Sequence, residues 1–280
     1  MVRTGTGRDF ELRPVLCESL PSRLAAMEAV TYERTGAAAV LTIDRQERRN
    51  AVDGPTADLL EEAFDRFEDD DDARVLVVTG AGGVAFCAGA DLKAIDSFAP
   101  RLMSNSGPFG FTRRTASKPT IAAISGWCLA GGMELALWCD LRIAAEGSTL
   151  GFTERRFGVP LIDGGTQRLP RIIGLGRALD LILTGRLVPA EEALAMGLIT
   201  QIVPAGRHLD RALEMAEALA RFPQETMLAD RRAAIEGIGM TFEEGLSLEA
   251  GAALETFEVA QRGAARFAAG EGRGGAGAGA

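Results

Sequence analysis

A glutamate inside an apolar helical segment is the first residue of this sequence that could carry out acid–base chemistry. Glu134 follows Gly131 by three residues, so the two share one face of a predicted helix over 131–138. Two alternatives stay open: Glu134 lies on a thin polar stripe, or it is buried for a purpose. Burial would raise the pKa of its carboxyl group and make it a candidate acid or base.

Two glycine-containing turns follow two predicted buried strands and could supply backbone N–H groups to a developing negative charge. The turn at 85–93 follows the strand at 74–79, and the turn at 126–134 follows the strand at 120–125. Taken singly, glycine after a strand is usually only a turn or a helix start. The pair is more informative, because two converging amides and a helix N-terminus are what an oxyanion requires.

The composition argues against several other kinds of chemistry. The 280 residues carry a formal net charge of −9, so neither nucleic acid nor a membrane surface is expected as a partner. A single histidine, His208, argues against a serine–histidine–acid triad and a histidine-based zinc site. Four cysteines without CxxC spacing predict buried thiols in a reducing cytoplasm, with neither disulfides nor bound metal: Cys17, Cys87, Cys128 and Cys139.

Alternating strand and helix patterns would position these residues, and they predict an α/β fold with a helical C-terminal region. Apolar runs at 38–44 and 141–145 predict two further strands, and 55–67 has apolar residues at helical spacing. From about residue 164 onward the pattern is mostly helical, with one strand at 198–203. The helices predicted there are 177–184, 190–196, 210–221, 225–237 and 242–261.

Four regions are predicted along the chain. Residues 1–26 suggest a disordered N-terminal extension, or a true start at Met27, and 27–205 the α/β core. Residues 206–268 would form the helical C-terminal region, and the low-complexity end at 269–280 a flexible glycine–alanine tail.

Seven short segments occur in one order from about Met27 to Arg262: 45–51, 86–93, 130–134, 139–140, 164–169, 184–193 and 195–199. Their sequences and spacing together resemble the enoyl-CoA hydratases of the crotonase family. The resemblance implies a crotonase-like spiral of repeated ββα units, an acyl-CoA or enoyl-CoA substrate, and no metal or redox cofactor. It also implies a homotrimer or dimer of trimers, with the C-terminal helices helping to cover the site.

The resemblance further assigns roles to individual residues. The oxyanion hole falls on the amides of Ala90 and Gly131, and the two catalytic glutamates fall on Glu134 and Glu154. The implied reaction adds water to a 2-enoyl-CoA, with Glu154 supplying the proton to Cα and Glu134 polarising the water. Substrate-binding candidates are Ala90, Asp91, Leu92, Lys93, Gly131 and Asp163; for the coenzyme A phosphates they are Arg45, Arg48, Arg49 and, preferred among these, Lys93.

Two departures from the hydratase pattern leave the reaction open. Arg155 and Arg156 follow Glu154, and a nearby guanidinium would lower its pKa, although arginines facing solvent or a neighbouring subunit are the preferred interpretation. Ile162 replaces the usual glycine, and Asp163 adds an acid beside it. We expect Asp163 to cap the following helix, whereas some isomerases and carbon–carbon bond-forming members carry an aspartate in or next to this loop.

Hydration is therefore the leading prediction, because both glutamates are present. Double-bond isomerisation is the runner-up, and a non-catalytic acyl-CoA-binding paralogue is disfavoured, since it would have no reason to keep both glutamates. The sequence does not predict the length or branching of the acyl chain. Large apolar candidates for the pocket walls are Phe98, Leu102, Met103, Phe109, Phe111 and Phe152.

Overall fold

The computed structural model describes residues 29–272, which form two β-sheets with helices packed against them. The predicted N-terminal extension and Cys17 lie outside the described residues, as does most of the predicted tail. The strands are β1 (Val30–Thr35), β2 (Ala38–Ile43), β3 (Val75–Gly80), β4 (Ala85–Cys87), β5 (Thr120–Ile124), β6 (Trp127–Leu129), β7 (Leu141–Ala145), β8 (Thr149–Gly151), β9 (Val188–Pro189) and β10 (Gln201–Val203). The α-helices are α1 (Gly54–Asp69), α2 (Gly131–Trp138), α3 (Gly165–Ile173), α4 (Leu175–Thr184), α5 (Ala190–Ala195), α6 (His208–Ala220), α7 (Gln224–Glu236), α8 (Phe242–Glu255) and α9 (Phe257–Ala268).

From β3 to β8, consecutive strands alternate between the two sheets. One sheet has six strands in the order β1-β2-β3-β5-β7-β10, and the other has four in the order β4-β6-β8-β9. The pairs β3/β4, β5/β6 and β7/β8 each place their first strand in the larger sheet and their second in the smaller, so the chain winds as a spiral. Apart from the antiparallel β1/β2 and β8/β9 pairs, neighbouring strands run parallel. The predicted α/β class with a helical C-terminal region is confirmed.

The central strands explain the continuous apolar runs in the sequence. Every residue of β3 and β5 is buried, because the larger sheet is covered on both faces. One apolar cluster fills the space between this sheet, the smaller sheet and helices α1 to α5. A second cluster lies on the other face, where Ala212 and Ala216 of α6 pack against β2, β3 and β5.

The C-terminal helices differ from the prediction in one respect, and an ion pair joins them to the core. The prediction of a single helix over 242–261 is wrong, because one helix ends at Glu255 and another begins at Phe257. Thr256 lies between them, and its hydroxyl donates to the Ala252 carbonyl oxygen. In α7, Arg231 meets both carboxylate oxygens of Asp140, at 2.8 and 3.0 Å, and donates to the Ala116 carbonyl oxygen at 2.7 Å. Within residues 29–272, no helix is long and apolar enough to cross a membrane.

Candidate active site

The two predicted glycine turns meet where β4 and β6 end. Gly89 has a φ of +96°, and a Cβ added there would lie 2.7 Å from Ala130 Cβ and 3.0 Å from the Gly131 nitrogen. Both values are shorter than ordinary contacts, so only glycine lets the first turn approach the start of α2 this closely.

The N–H groups of Ala90 and Gly131 are both free at this meeting point. The Gly89 oxygen accepts from the Val52 N–H at 2.9 Å, and the Asp91 N–H donates to the Val52 oxygen at 2.7 Å. Because successive N–H groups of an extended chain point to opposite sides, the Ala90 N–H faces away from Val52. Gly131 begins α2, so its N–H has no partner within the helix. Neither N–H donates to any described residue.

Ala130, which immediately precedes α2, holds a strained backbone conformation. Its φ of 53° and ψ of −127° lie in a region that residues with a side chain rarely adopt. The Ala130 N–H donates to Gly151 at 2.8 Å, and its oxygen accepts from the N–H groups of Met133 and Glu134. These three bonds hold the turn that orients the Gly131 N–H.

Glu134 is buried, which decides between the two alternatives for this residue. Its side chain is 2% exposed, and Oε1 accepts from the N–H groups of Asp163 at 3.0 Å and Gly165 at 2.7 Å. Burial raises the pKa of its carboxyl group to about 8, and the nearby Asp163 charge contributes in the same direction. A Cβ on Gly165 would lie 2.9 Å from Glu134 Oε1, so glycine is required beside the carboxylate.

Glu154 lies in a short 3₁₀ helix, Thr153–Phe157, that follows β8. It is 6% exposed, and neither buried carboxylate oxygen accepts a hydrogen bond from any described residue. Burial raises the pKa of this carboxyl group to about 7; the Arg155 charge acts in the opposite direction with a smaller effect. Arg155 and Arg156 are exposed, so the preferred interpretation of these arginines is confirmed.

Asp163 does not cap α3, and that prediction is wrong. Gly164 occupies the cap position without a side-chain bond, while Asp163 Oδ1 accepts from the Phe109 N–H at 3.0 Å and from the Thr112 hydroxyl. The carboxylate turns inward because these two donors satisfy it where water does not reach. Asp163 is 2% exposed, and burial raises the pKa of its carboxyl group.

A cavity of about 450 Å³ brings most of the predicted site residues together. Of the expected wall residues, Phe98, Leu102 and Phe109 line it, and Phe157, which the sequence analysis missed, lies at its rim and is 68% exposed. Met103, Phe111 and Phe152 are not among the described lining residues. The predicted site residues that line the cavity are Ala90, Leu92, Gly131, Glu134, Glu154 and Asp163.

Asp91 and the predicted cations lie outside this cavity. Asp91 accepts from the Lys93 N–H at 3.1 Å, and the Lys93 side chain is exposed. Arg45 is engaged with carboxylates, 2.6 Å from Asp53 and 3.5 Å from Asp91, which makes it a link between loops. Arg48 and Arg49 are exposed. Among residues 29–272, no group of three or more histidine, cysteine, aspartate or glutamate side chains could hold a metal ion.

Comparisons with known proteins agree with this arrangement. The model of the family described as enoyl-CoA hydratase/isomerase matches residues 33–271. The chain is 39% identical over 195 residues to enoyl-CoA hydratase EchA19 of Mycobacterium tuberculosis, covering 67% of this chain and 73% of that protein. It is 36% identical to (E)-benzylidenesuccinyl-CoA hydratase of Thauera aromatica, covering 78% and 86%.

Solved structures give the same result for the fold. The crystal structure of enoyl-CoA hydratase EchA1 from Mycobacterium marinum superimposes with a TM-score of 0.81 at 35% identity, covering 86% of this chain and 96% of that one. The family match spans most of the chain and includes both turns and both buried glutamates. This chain belongs to the enoyl-CoA hydratase/isomerase family.

Proposed function

We propose that this chain hydrates a 2-enoyl-CoA to a 3-hydroxyacyl-CoA. One observation carries the proposal: two free backbone N–H groups and two buried glutamates line a single apolar cavity. The N–H groups suit a thioester oxygen that gathers negative charge, and the carboxyl groups suit proton transfer beside it. Hydratase relatives that are 32–39% identical over most of the chain support the same reaction.

The residues divide the reaction between them. The amides of Ala90 and Gly131 hold the thioester oxygen, which draws electrons from the double bond and makes Cβ electrophilic. Glu134, as the carboxylic acid of the pair, and Glu154, as the carboxylate, hold a water molecule; as its oxygen bonds to Cβ, Glu154 takes a proton from it. Glu154 passes that proton to Cα, so the enolate becomes the saturated thioester and both glutamates return to their starting protonation states. Atoms and charge balance without a metal or a redox cofactor.

The protonation state of the glutamate pair fits this sequence of steps. Burial raises both pKa values, to about 8 for Glu134 and about 7 for Glu154, and the pair cannot ionise twice without mutual repulsion. Between these values the pair holds one proton. Hydration requires that state, with one carboxylic acid and one carboxylate.

The organisation around the site is also part of the proposal. We expect a homotrimer or dimer of trimers in the cytoplasm, with the region beyond residue 205 contributing to the subunit contacts. Large apolar side chains are exposed on α8 and α9, with 77% of Phe242, 80% of Leu254 and 61% of Phe267 accessible. A monomeric mass by light scattering would contradict this expectation.

The direct test follows the loss of enoyl-thioester absorbance when the purified protein is mixed with crotonyl-CoA. Loss of absorbance, with 3-hydroxybutyryl-CoA as the product by mass spectrometry, would support hydration. Conversion of 3-hexenoyl-CoA to 2-hexenoyl-CoA, without hydration of either, would favour the isomerase alternative. Binding of acyl-CoA with no turnover of any enoyl-CoA would favour a non-catalytic paralogue.

The pH dependence of turnover should follow the pKa values of the two glutamates. We expect kcat/KM for crotonyl-CoA to be greatest between about pH 7 and 8. Below this range both carboxyl groups are protonated and no base remains; above it both are ionised and no acid remains. A profile that is flat from pH 6 to 9, measured under subsaturating substrate, would contradict the assignment.

A further inference from the structure

The charged groups that line the cavity all have the same sign. Besides Glu134 and Glu154, Asp163 and Asp96 line it, and the Thr153 side chain supplies the only hydroxyl group among the described lining residues. None of those lining residues is a lysine, an arginine or a histidine. The remainder of the wall is glycine, alanine, proline or a larger apolar residue.

Two guanidinium groups are bonded to backbone oxygens of the loops that form this wall. Arg113 donates to the Ile162 oxygen at 3.2 Å and to the Ser104 oxygen at 2.9 Å. Arg168 donates to the Asp163 oxygen at 2.7 Å and to the Thr112 oxygen at 2.5 Å. Both side chains therefore hold the loops, and neither is among the described lining residues of the cavity.

The exposed arginine beside Glu154 also points elsewhere. Arg155 Nε donates to the Ile182 oxygen at 3.3 Å, on the side of α4. An anionic group at the far end of an acyl chain would thus lose its water in an apolar cavity and find no cation. It would also meet carboxylates, and like charges brought together at a binding site are strongly disfavoured.

We propose that the cavity selects uncharged, apolar acyl groups, and that an enoyl-CoA with a second, terminal carboxylate is rejected because of its charge. This inference rests on the proposed function and names its substrate class. The raised pKa values of the carboxyl groups already present support it, because they show that this environment penalises negative charge.

Three substrates that differ only at the chain end test the inference. They are hex-2-enoyl-CoA, 5-carboxypent-2-enoyl-CoA, in which a carboxylate replaces the terminal methyl group, and the methyl ester of the latter. We expect kcat/KM for the carboxylate to be at least about 100-fold below that for hex-2-enoyl-CoA, and the ester to lie within about 10-fold. A carboxylate within about 10-fold would overturn the inference. So would an ester as poor as the carboxylate, because size would then be the cause.

A variant of Asp163 tests whether the charge of this residue, and not its shape, causes the selection. Asp163→Asn keeps an Oδ1 acceptor for the Phe109 N–H and the Thr112 hydroxyl while removing the charge. We expect this variant to reduce, several-fold, the ratio of kcat/KM for hex-2-enoyl-CoA to kcat/KM for 5-carboxypent-2-enoyl-CoA. Asp69→Asn, the same change at the exposed end of α1, should leave the ratio unaltered. Equal ratios in wild type and Asp163→Asn would contradict the electrostatic cause.

Measurements of binding without turnover test this inference separately from the proposed hydration reaction. Calorimetry with two saturated compounds, hexanoyl-CoA and 5-carboxypentanoyl-CoA, measures the selection even if no enoyl-CoA is hydrated. Tighter binding of hexanoyl-CoA by at least about 30-fold would support the inference while hydration fails. Equal affinities would overturn the inference whatever the reaction proves to be.

Discussion

Replacing Glu154 with glutamine should lower kcat/KM for crotonyl-CoA about 10²–10⁴-fold, which is what an acid that delivers a proton contributes. Glutamine has nearly the same shape and fits the same position, but it has no titratable proton. Initial rates with subsaturating crotonyl-CoA, alongside calorimetric binding of butyryl-CoA, separate lost chemistry from lost binding. Glu146→Gln, the same change at an exposed turn, serves as the matched control.

The Glu154→Gln variant should lose activity but gain stability. Because burial raises the folded-state pKa of Glu154 from 4.5 to about 7, the wild type loses stability as the pH rises through that interval. Glutamine removes this loss, so at pH 8 the free energy of unfolding should increase by about 1–3 kcal/mol, after allowance for solvent screening. Below about pH 4.5 the difference should vanish. A variant that is inactive and also less stable at pH 8 would indicate misfolding and would count against the proposed role.

The second large effect concerns the amides. Gly89→Ala should lower kcat/KM about 10²–10³-fold, the usual cost of losing one oxyanion donor. The new Cβ would lie 3.0 Å from the Gly131 nitrogen and 2.7 Å from Ala130 Cβ, so the turns must separate and the two N–H groups no longer converge. Steady-state kinetics would measure the loss, which should fall mainly on kcat because the N–H groups act on the enolate.

Gly83→Ala is the control for backbone strain. Gly83 also has a positive φ, +71°, but a Cβ there would meet nothing within 4 Å. Backbone strain alone should cost both variants about 1–2 kcal/mol of stability, because alanine is strained at such angles. Gly89→Ala should lose more, since its Cβ also separates the turns. Only Gly89→Ala should lose turnover. If the two variants keep equal activity, the Ala90 and Gly131 amides are not the oxyanion hole.

Sequence patterns predicted the elements with strong local signals and missed those that depend on distant contacts. The apolar runs of β3 and β5 predicted buried strands, and the apolar face of α1 predicted a helix. The smaller sheet went unnoticed because its strands have only two or three residues, too few for a period to show.

The candidate site shows the same division. The two glycine turns carry their own signal, since positive φ and close approach require glycine. Asp163 carries no such signal, because its partners Phe109 and Thr112 are 54 and 51 residues away in the sequence. From the neighbouring residues alone, the role that could be predicted for it was helix capping. Periodicity also could not decide whether Glu134 was buried. The two N–H groups that donate to its carboxylate belong to Asp163 and Gly165, which are 29 and 31 residues away in the sequence.

Asp163 contacts both Glu134 and the pocket wall, which has a consequence for how this protein could change. Its backbone N–H holds Glu134, and its side chain holds the loop that carries Phe109 over Gly131. A mutation that reshapes this wall for a new substrate therefore also disturbs the proton chemistry. Specificity for a different acyl group changes more readily at the exposed lining residues Leu102 and Phe157, whose side chains do not hold Glu134.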